Sequence, residues 1–238
     1  MADDEVRRSL RLYDFPSPEE AGEEGLLAYG GDLSPGRLLS AYARGIFPWY
    51  SEGDPILWWS PDPRMVIYPG GLHLSRSFRR VLRNAKYSVV FDRDFRKVVE
   101  SCASVDRRGE DGTWIDDDIV EAYTTLHHMG YAHSVEVYMD GSLAGGLYGL
   151  AIGGAFFGES MFSLRPNGSK IALYALSDVL SERGYDFVDC QIVTGHLLKM
   201  GGEVIERSLF LRRLGLSLSK SGDRGSWSKY RWEYTDGR

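Results

Sequence analysis

Residues 132–160, AHSVEVYMDGSLAGGLYGLAIGGAFFGES, constrain the fold most. Short β-type runs are punctuated by Asp140-Gly141 and Gly153-Gly154, dipeptides that favour the positive-φ turns of antiparallel hairpins. The stretch therefore predicts a meander of two or three antiparallel strands. Helical periodicity flanks it: SRSFRRVLRNA, DFRKVVESCAS and DIVEAYTTLHHMG come before, and GSKIALYALSDVLSERG and the short TGHLLKMG after. RMVIYPGG, YSVVFDRD and DFVDCQIV read as further strands, which makes the class α+β from about Pro63 onward.

Residues 1–62 are written differently. Ser34-Pro35 opens one amphipathic helix, with Leu38, Leu39, Tyr42 and Ala43 on a stripe and Gly45 at its end. Beyond it, Pro48, Pro55, Pro61 and Pro63 forbid regular helix. The expected division is a small, loop-rich module over 1–62, held by its aromatics, and a larger domain over 63–238. Trp58 and Trp59 are expected to knit the two together. The end, SKSGDRGSWSKYRWEYTDGR, is polar and expected to be loosely ordered, with Trp227 and Trp232 as residues that could dock.

Two carboxylates stand in apolar company. Glu159 lies within FFGESMFS, and Asp189 precedes Gln191 in DFVDCQIV. An unpaired buried carboxylate is costly, so each is paired, turned to water, or used. The two segments read as two walls of one site. In a strand, Asp189 and Gln191 would face the same way.

Bulk properties exclude several classes. With 43% hydrophobic and 26% charged residues the chain is an ordinary globular one, and no apolar run is long enough to span a bilayer. MADDEVRRSL is too charged for a secretory signal. Cys102 and Cys190 have no metal-ligand spacing, so reduced thiols and a cytoplasmic location are expected, with no membrane partner. A net charge of −6 does not suggest a nucleic-acid partner. Locally, however, Arg76, Arg80 and Arg83 recur at i, i+4, i+7 with Arg79 beside them, one basic helical face on an acidic protein.

The stretches GLLAYGGDLSPGRLLSAYARGIFPWY, DPILWWSPDPR, GTWI and GESMFS, followed in order by SK.AL, DCQ and H....G, resemble the leucyl/phenylalanyl-tRNA–protein transferases. These bacterial enzymes add Leu or Phe to protein N-termini. The resemblance runs from Phe15 to about Phe210. It implies a GNAT-like acyltransferase domain, and as substrates an aminoacyl-tRNA and a polypeptide beginning with Arg or Lys. Two departures stand out: Gly168 in PNGSK occupies a position where the family usually has Ala, and the tail beyond about 214 is unmatched.

An amine attacking an aminoacyl ester needs positioning and oxyanion stabilisation rather than a metal, a nucleotide or a covalent nucleophile. No cofactor is expected. On the resemblance, Asp189 and Gln191 are the catalytic candidates. Asp189 would bind the incoming α-ammonium and accept its proton, unless the tRNA ribose hydroxyl shuttles it. Gln191 would steady the ester carbonyl or Asp189. Glu159 would complement the acceptor peptide's cations. Met161, Phe156, Phe157, Ile192 and a Gly145-Gly146 turn would line a pocket for Leu, Phe or Met, which lack a β-branch; rejecting the β-branch is worth roughly 1–3 kcal/mol.

Trp49 and Trp114 would sandwich the terminal adenine. Arg76, Arg79, Arg80 and Arg83 would meet acceptor-stem phosphates. The protein is expected to act as a monomer.

Structural roles compete at each position: a strand-end cap for Asp189, an ion pair with a buried Arg or with Lys170 for Glu159, core packing for the aromatics, a solvated face for the arginines. Two other functions compete as well. An acetyl-CoA-dependent acetyltransferase lacks its R/Q-x-x-G-x-G/A loop here, since RRGEDG precedes no suitable strand–helix step. A non-catalytic RNA-binding module would leave Glu159, Asp189 and Gln191 idle.

Overall fold

The computed structural model describes residues 3–51, 53–104 and 115–235. Its N-terminal part carries helix α1 (Asp4–Leu12), strand β1 (Leu26–Tyr29), helix α2 (Pro35–Ala43), and strands β2 (Phe47–Pro48) and β3 (Leu57–Trp59). Pro35 at the first helical position starts α2, and Gly45, at φ +75°, follows its end. The three short strands form an antiparallel sheet in the order β1-β3-β2, which the density of prolines had concealed.

The remainder supplies β4 (Arg64–Ile67), α3 (Arg76–Asn84), β5 (Ser88–Phe91), α4 (Phe95–Ser104), α5 (Asp117–His128), β6 (Ala132–Met139), β7 (Ser142–Ile152) and β8 (Ala155–Ser163). After these come α6 (Gly168–Glu182), β9 (Phe187–Asp189), α7 (Gly195–Lys199), β10 (Glu203–Ile205) and α8 (Arg207–Ser217). Seven strands form one sheet in the order β10-β4-β9-β8-β7-β6-β5. Its middle is the three-stranded meander expected from the two turn dipeptides. Only β8 and β9 run parallel among the described strands, and α6 makes the crossover that a parallel pair requires. The α+β class is thus as expected.

Both faces of this sheet are covered. On one, α3 and α6 bury Phe78, Leu82, Ile171 and Leu176 against Val135, Val137 and Phe156. On the other, α2, α4 and α5 bury Tyr42, Val98 and Tyr123 against Tyr148, Leu150 and Phe157.

Several expectations need correction. Gly145 and Gly146 are not a turn; they lie within β7, paired with Ser163 and Phe162. A Cβ on Gly145 would stand 2.7 Å from the Cα of Gly168, so the missing side chain lets the start of α6 approach the strand. The strand read over 186–193 stops at Asp189. The tail is docked rather than loose: Trp227 and Trp232 are 1% and 7% exposed. Trp58 packs on Phe15 (5.0 Å between rings) and donates its Nε1–H to Gly30 O (2.8 Å), Trp59 packs on Trp49, and Trp58 also belongs to the buried cluster that includes Val66, Phe187 and Phe210 of the larger part. The seam to the larger sheet is made by Tyr42 against Phe157 and by Phe47 against Arg64.

Candidate active site

A cavity of about 640 Å³ opens where the N-terminal module meets the C-terminal half of β8. That is an ordinary size for a small-molecule site. Phe47, Pro48 and Trp49 form one side, Leu173 and Leu176 of α6 another, and Ile192, His196 and Leu197 the rim beyond β9. Phe156 and Met161 of β8 complete the apolar walls.

How both Phe156 and Met161 reach it follows from the pairing of β7 with β8. Gly149 pairs with Gly158 and Tyr148 with Ser160, so Glu159 is the extra residue of a β-bulge. The bulge shifts the alternation by one. Phe156 before it and Met161 after it line the cavity, while Phe157 and Phe162 go to the opposite core. Gly149 makes the close approach possible, since a Cβ there would lie 2.1 Å from the Phe157 carbonyl oxygen.

Glu159 is the one acidic side chain among the described residues lining the cavity. Its Oε2 accepts from the Tyr123 hydroxyl at 3.0 Å, and Tyr123 is in turn hydrogen-bonded to the Tyr42 hydroxyl. Its Oε1 accepts from Gln191 Nε2 at 3.3 Å. Desolvation pushes the Glu159 carboxyl up to about 8; the tyrosine hydrogen bonds oppose that rise, and the charge of Asp189 adds to it. Burial also raises both tyrosines, which therefore stay neutral donors.

Asp189 sits behind this site rather than in it. Its two oxygens are held by Arg64, Oδ1 by Nε at 2.8 Å and Oδ2 by Nη2 at 2.7 Å, and neither side chain has exposed surface. The guanidinium lies between the rings of Phe47 (4.9 Å) and Phe210 (4.5 Å). Asp189 Oδ1 also accepts from the Gln191 backbone N–H at 3.0 Å. Gln191 has left the strand at φ +54°, so the shared face expected for 189 and 191 does not form. The left-handed backbone instead carries the Gln191 side chain to Glu159.

The other anticipated residues divide. Trp49, 39% exposed, lines the cavity, and Trp59 braces it by donating its Nε1–H to the Trp49 carbonyl at 2.6 Å. Trp114 lies outside the described residues. Gly145, Gly146 and Phe157 are absent from the lining. Arg76, Arg79, Arg80 and Arg83 are exposed on α3, opposite its buried Phe78 and Leu82. Sequence reasoning missed Tyr123 and Arg64 as parts of the site, and read Tyr42 only as one position on the stripe of α2. It also gave no task to His196, although that residue belongs to the quoted H....G. Burial, then repulsion from Lys170 and Lys199, lowers its pKa.

Residues 66–215 match the family model described as leucyl/phenylalanyl-tRNA protein transferase, and residues 31–62 match the model of that family's N-terminal domain. The chain is 50% identical over 215 residues to the leucyl/phenylalanyl-tRNA--protein transferase of Myxococcus xanthus (strain DK1622), covering 90% of this chain and 92% of the relative. It is 51% identical over 216 residues to the like-named protein of Syntrophus aciditrophicus (strain SB), covering 91% and 90%. Among solved structures, a GCN5-related N-acetyltransferase from Kribbella flavida aligns at TM-score 0.37 with 12% identity, covering 72% of this chain and 61% of that one.

Proposed function

The chain belongs to the leucyl/phenylalanyl-tRNA protein transferase family, and from that premise we propose that its cavity joins an aminoacyl ester to the N-terminal amine of a polypeptide beginning with Arg or Lys. It is an aminoacyltransferase, moving an amino acid from aminoacyl-tRNA to proteins. The donors are Leu, Phe and Met esters, whose unbranched Cβ suits walls made by Phe156, Met161, Leu173 and Leu176. The terminal adenosine stacks on Trp49, and the tRNA body meets the exposed arginines of α3. The product carries a new N-terminal residue that marks it for N-degron degradation in the cytoplasm, and the enzyme works as a monomer.

The observation that carries this reading is the one carboxyl, among the described residues, on the wall of an apolar cavity, held by the Gln191 amide and the Tyr123 hydroxyl. A free α-ammonium has a pKa of about 7.7–8.0, close to that of Glu159. A carboxyl raised by burial is a stronger base than an ordinary one, so Glu159 can hold the acceptor's ammonium and take its proton. The neutral amine attacks the ester carbonyl carbon. As the C–N bond forms, the C–O bond to the ribose breaks; the nitrogen's second proton passes to the departing ribose oxygen, and Glu159 returns the first to solvent. Gln191 Nε2 donates to the oxyanion as it develops. Asp189, fixed by Arg64, positions Gln191 through its backbone N–H.

The test is to incubate the protein with Phe-tRNA or acetyl-CoA and a Lys-initiated peptide, then weigh the product. A mass gain of one phenylalanyl residue, from the tRNA alone, is expected. An acetylated peptide, or RNA binding without either product, would refute the reading.

A further inference from the structure

Residues 219–235 follow the last helix, lie beyond the family model's final matched position, 215, and contain no helix or strand. They are nonetheless tied down at several points. The Trp227 backbone N–H donates to Asp92 Oδ2 at 2.7 Å, and its Nε1–H to Asp223 O at 3.0 Å. Its indole stacks on His133 at 3.9 Å with the planes 4° apart, and His133 Nδ1 shares the Asp92 carboxylate at 3.0 Å. Further along, Trp232 donates Nε1–H to Asp178 Oδ2 of α6 at 2.9 Å and packs on Tyr87 and Tyr174.

One of these anchors touches the site. The Trp227 ring centre is 5.9 Å from that of Phe156, the fully buried residue that forms part of the cavity wall. Trp232 grips α6 through Asp178 and Tyr174, neither of which lines the cavity. Both tryptophans of the tail are buried, and of the two it is Trp227 whose ring packs on a residue of the cavity wall.

We propose that Trp227 is a positioning residue for donor choice: by backing Phe156 it fixes the depth of the aminoacyl pocket. Interiors are close-packed, so a wall residue stays where its neighbours hold it. Removing the indole leaves a void behind Phe156 that the surroundings fill only in part. The phenyl ring then gains room to retreat, the cavity deepens, and bulky donor side chains enter where small ones no longer fill the space. This inference rests on the cavity being the aminoacyl pocket.

The experiment measures kcat/KM for tryptophanyl-adenosine and leucyl-adenosine with one Lys-initiated peptide, in wild type, Trp227→Ala, Trp227→Phe and Trp232→Ala. The tryptophanyl-to-leucyl ratio should rise about tenfold in Trp227→Ala, mainly through KM, the scale on which a pocket distinguishes side chains differing by a few carbons. Trp227→Phe, which keeps an aromatic anchor and safeguards the fold, should raise it by a smaller factor. In Trp232→Ala the ratio should stay within about twofold of wild type even as the melting temperature falls. An unchanged ratio in Trp227→Phe, and in Trp227→Ala where it folds, would overturn the proposal and reduce the tail to a fold-holding strap. Failure of wild type to use either ester would overturn the aminoacyl reading itself.

Discussion

Glu159 illustrates how far a single residue can be read. Its apolar neighbours were visible in FFGESMFS, and they announce a carboxylate that is not merely solvated. Its partners were not visible, because Tyr123 and Gln191 are brought to it by α5 and by the chain after β9. Asp189 carried the same local signal with a different outcome. Its partner, Arg64, is 125 residues away in sequence, and removing either would leave a buried charge unpaired at a cost of roughly 3–5 kcal/mol. The two acids are told apart by their surroundings, and a prediction separates them. Because the folded state holds a proton on Glu159 up to about 8, against a usual value near 4.5, it binds more protons than the unfolded chain between those limits. This contribution to stability is therefore full below about 4.5 and is lost as pH rises through about 8. Glu159→Gln, which still accepts from Tyr123, should melt above wild type at pH 9 and close to it at pH 5. Thermal melts at both pH values check this, and a difference independent of pH would contradict it.

At the level of elements, the meander, the longer helices of the larger part and the two turn dipeptides were legible because local periodicity dictates them. The β-bulge at Glu159 was not. Nothing in a two-residue alternation marks where one extra residue enters, and only the Gly149–Gly158 pairing shows it. That omission moved Phe157 into the expected pocket when it belongs to the opposite core. The same limit applies to β9: three residues of strand followed by a left-handed Gln191 read, in sequence, like one continuous β run. Gly145 and Gly146 were noticed correctly as a pair and given the wrong task. Gly145 admits the start of α6 to the strand rather than reversing the chain, and Gly146 leaves room for the Val135 carbonyl and the Phe162 ring.

For the whole molecule, an acidic protein must hold an anionic substrate, and in the proposed function the exposed arginines of α3 are the means. Phosphate binding supplies affinity rather than chemistry. Neutralising Arg76, Arg80 and Arg83 together should raise KM for charged tRNA and flatten the slope of log affinity against log salt by about 0.7–0.9 for each phosphate no longer engaged. Turnover of phenylalanyl-adenosine, which has no tRNA body, should be nearly unchanged. Equal damage to both donors would make α3 a structural helix. The central claim concerns the cavity and its carboxylate, and one measurement addresses it. With phenylalanyl-adenosine as donor and a Lys-initiated peptide as acceptor, wild type and Glu159→Gln are compared for acceptor kcat/KM and for donor affinity. The acceptor constant should fall by about 10²-fold or more, the range for loss of a positioned acid–base group, while donor affinity stays within about threefold. A variant that loses both alike, or neither, would contradict the account.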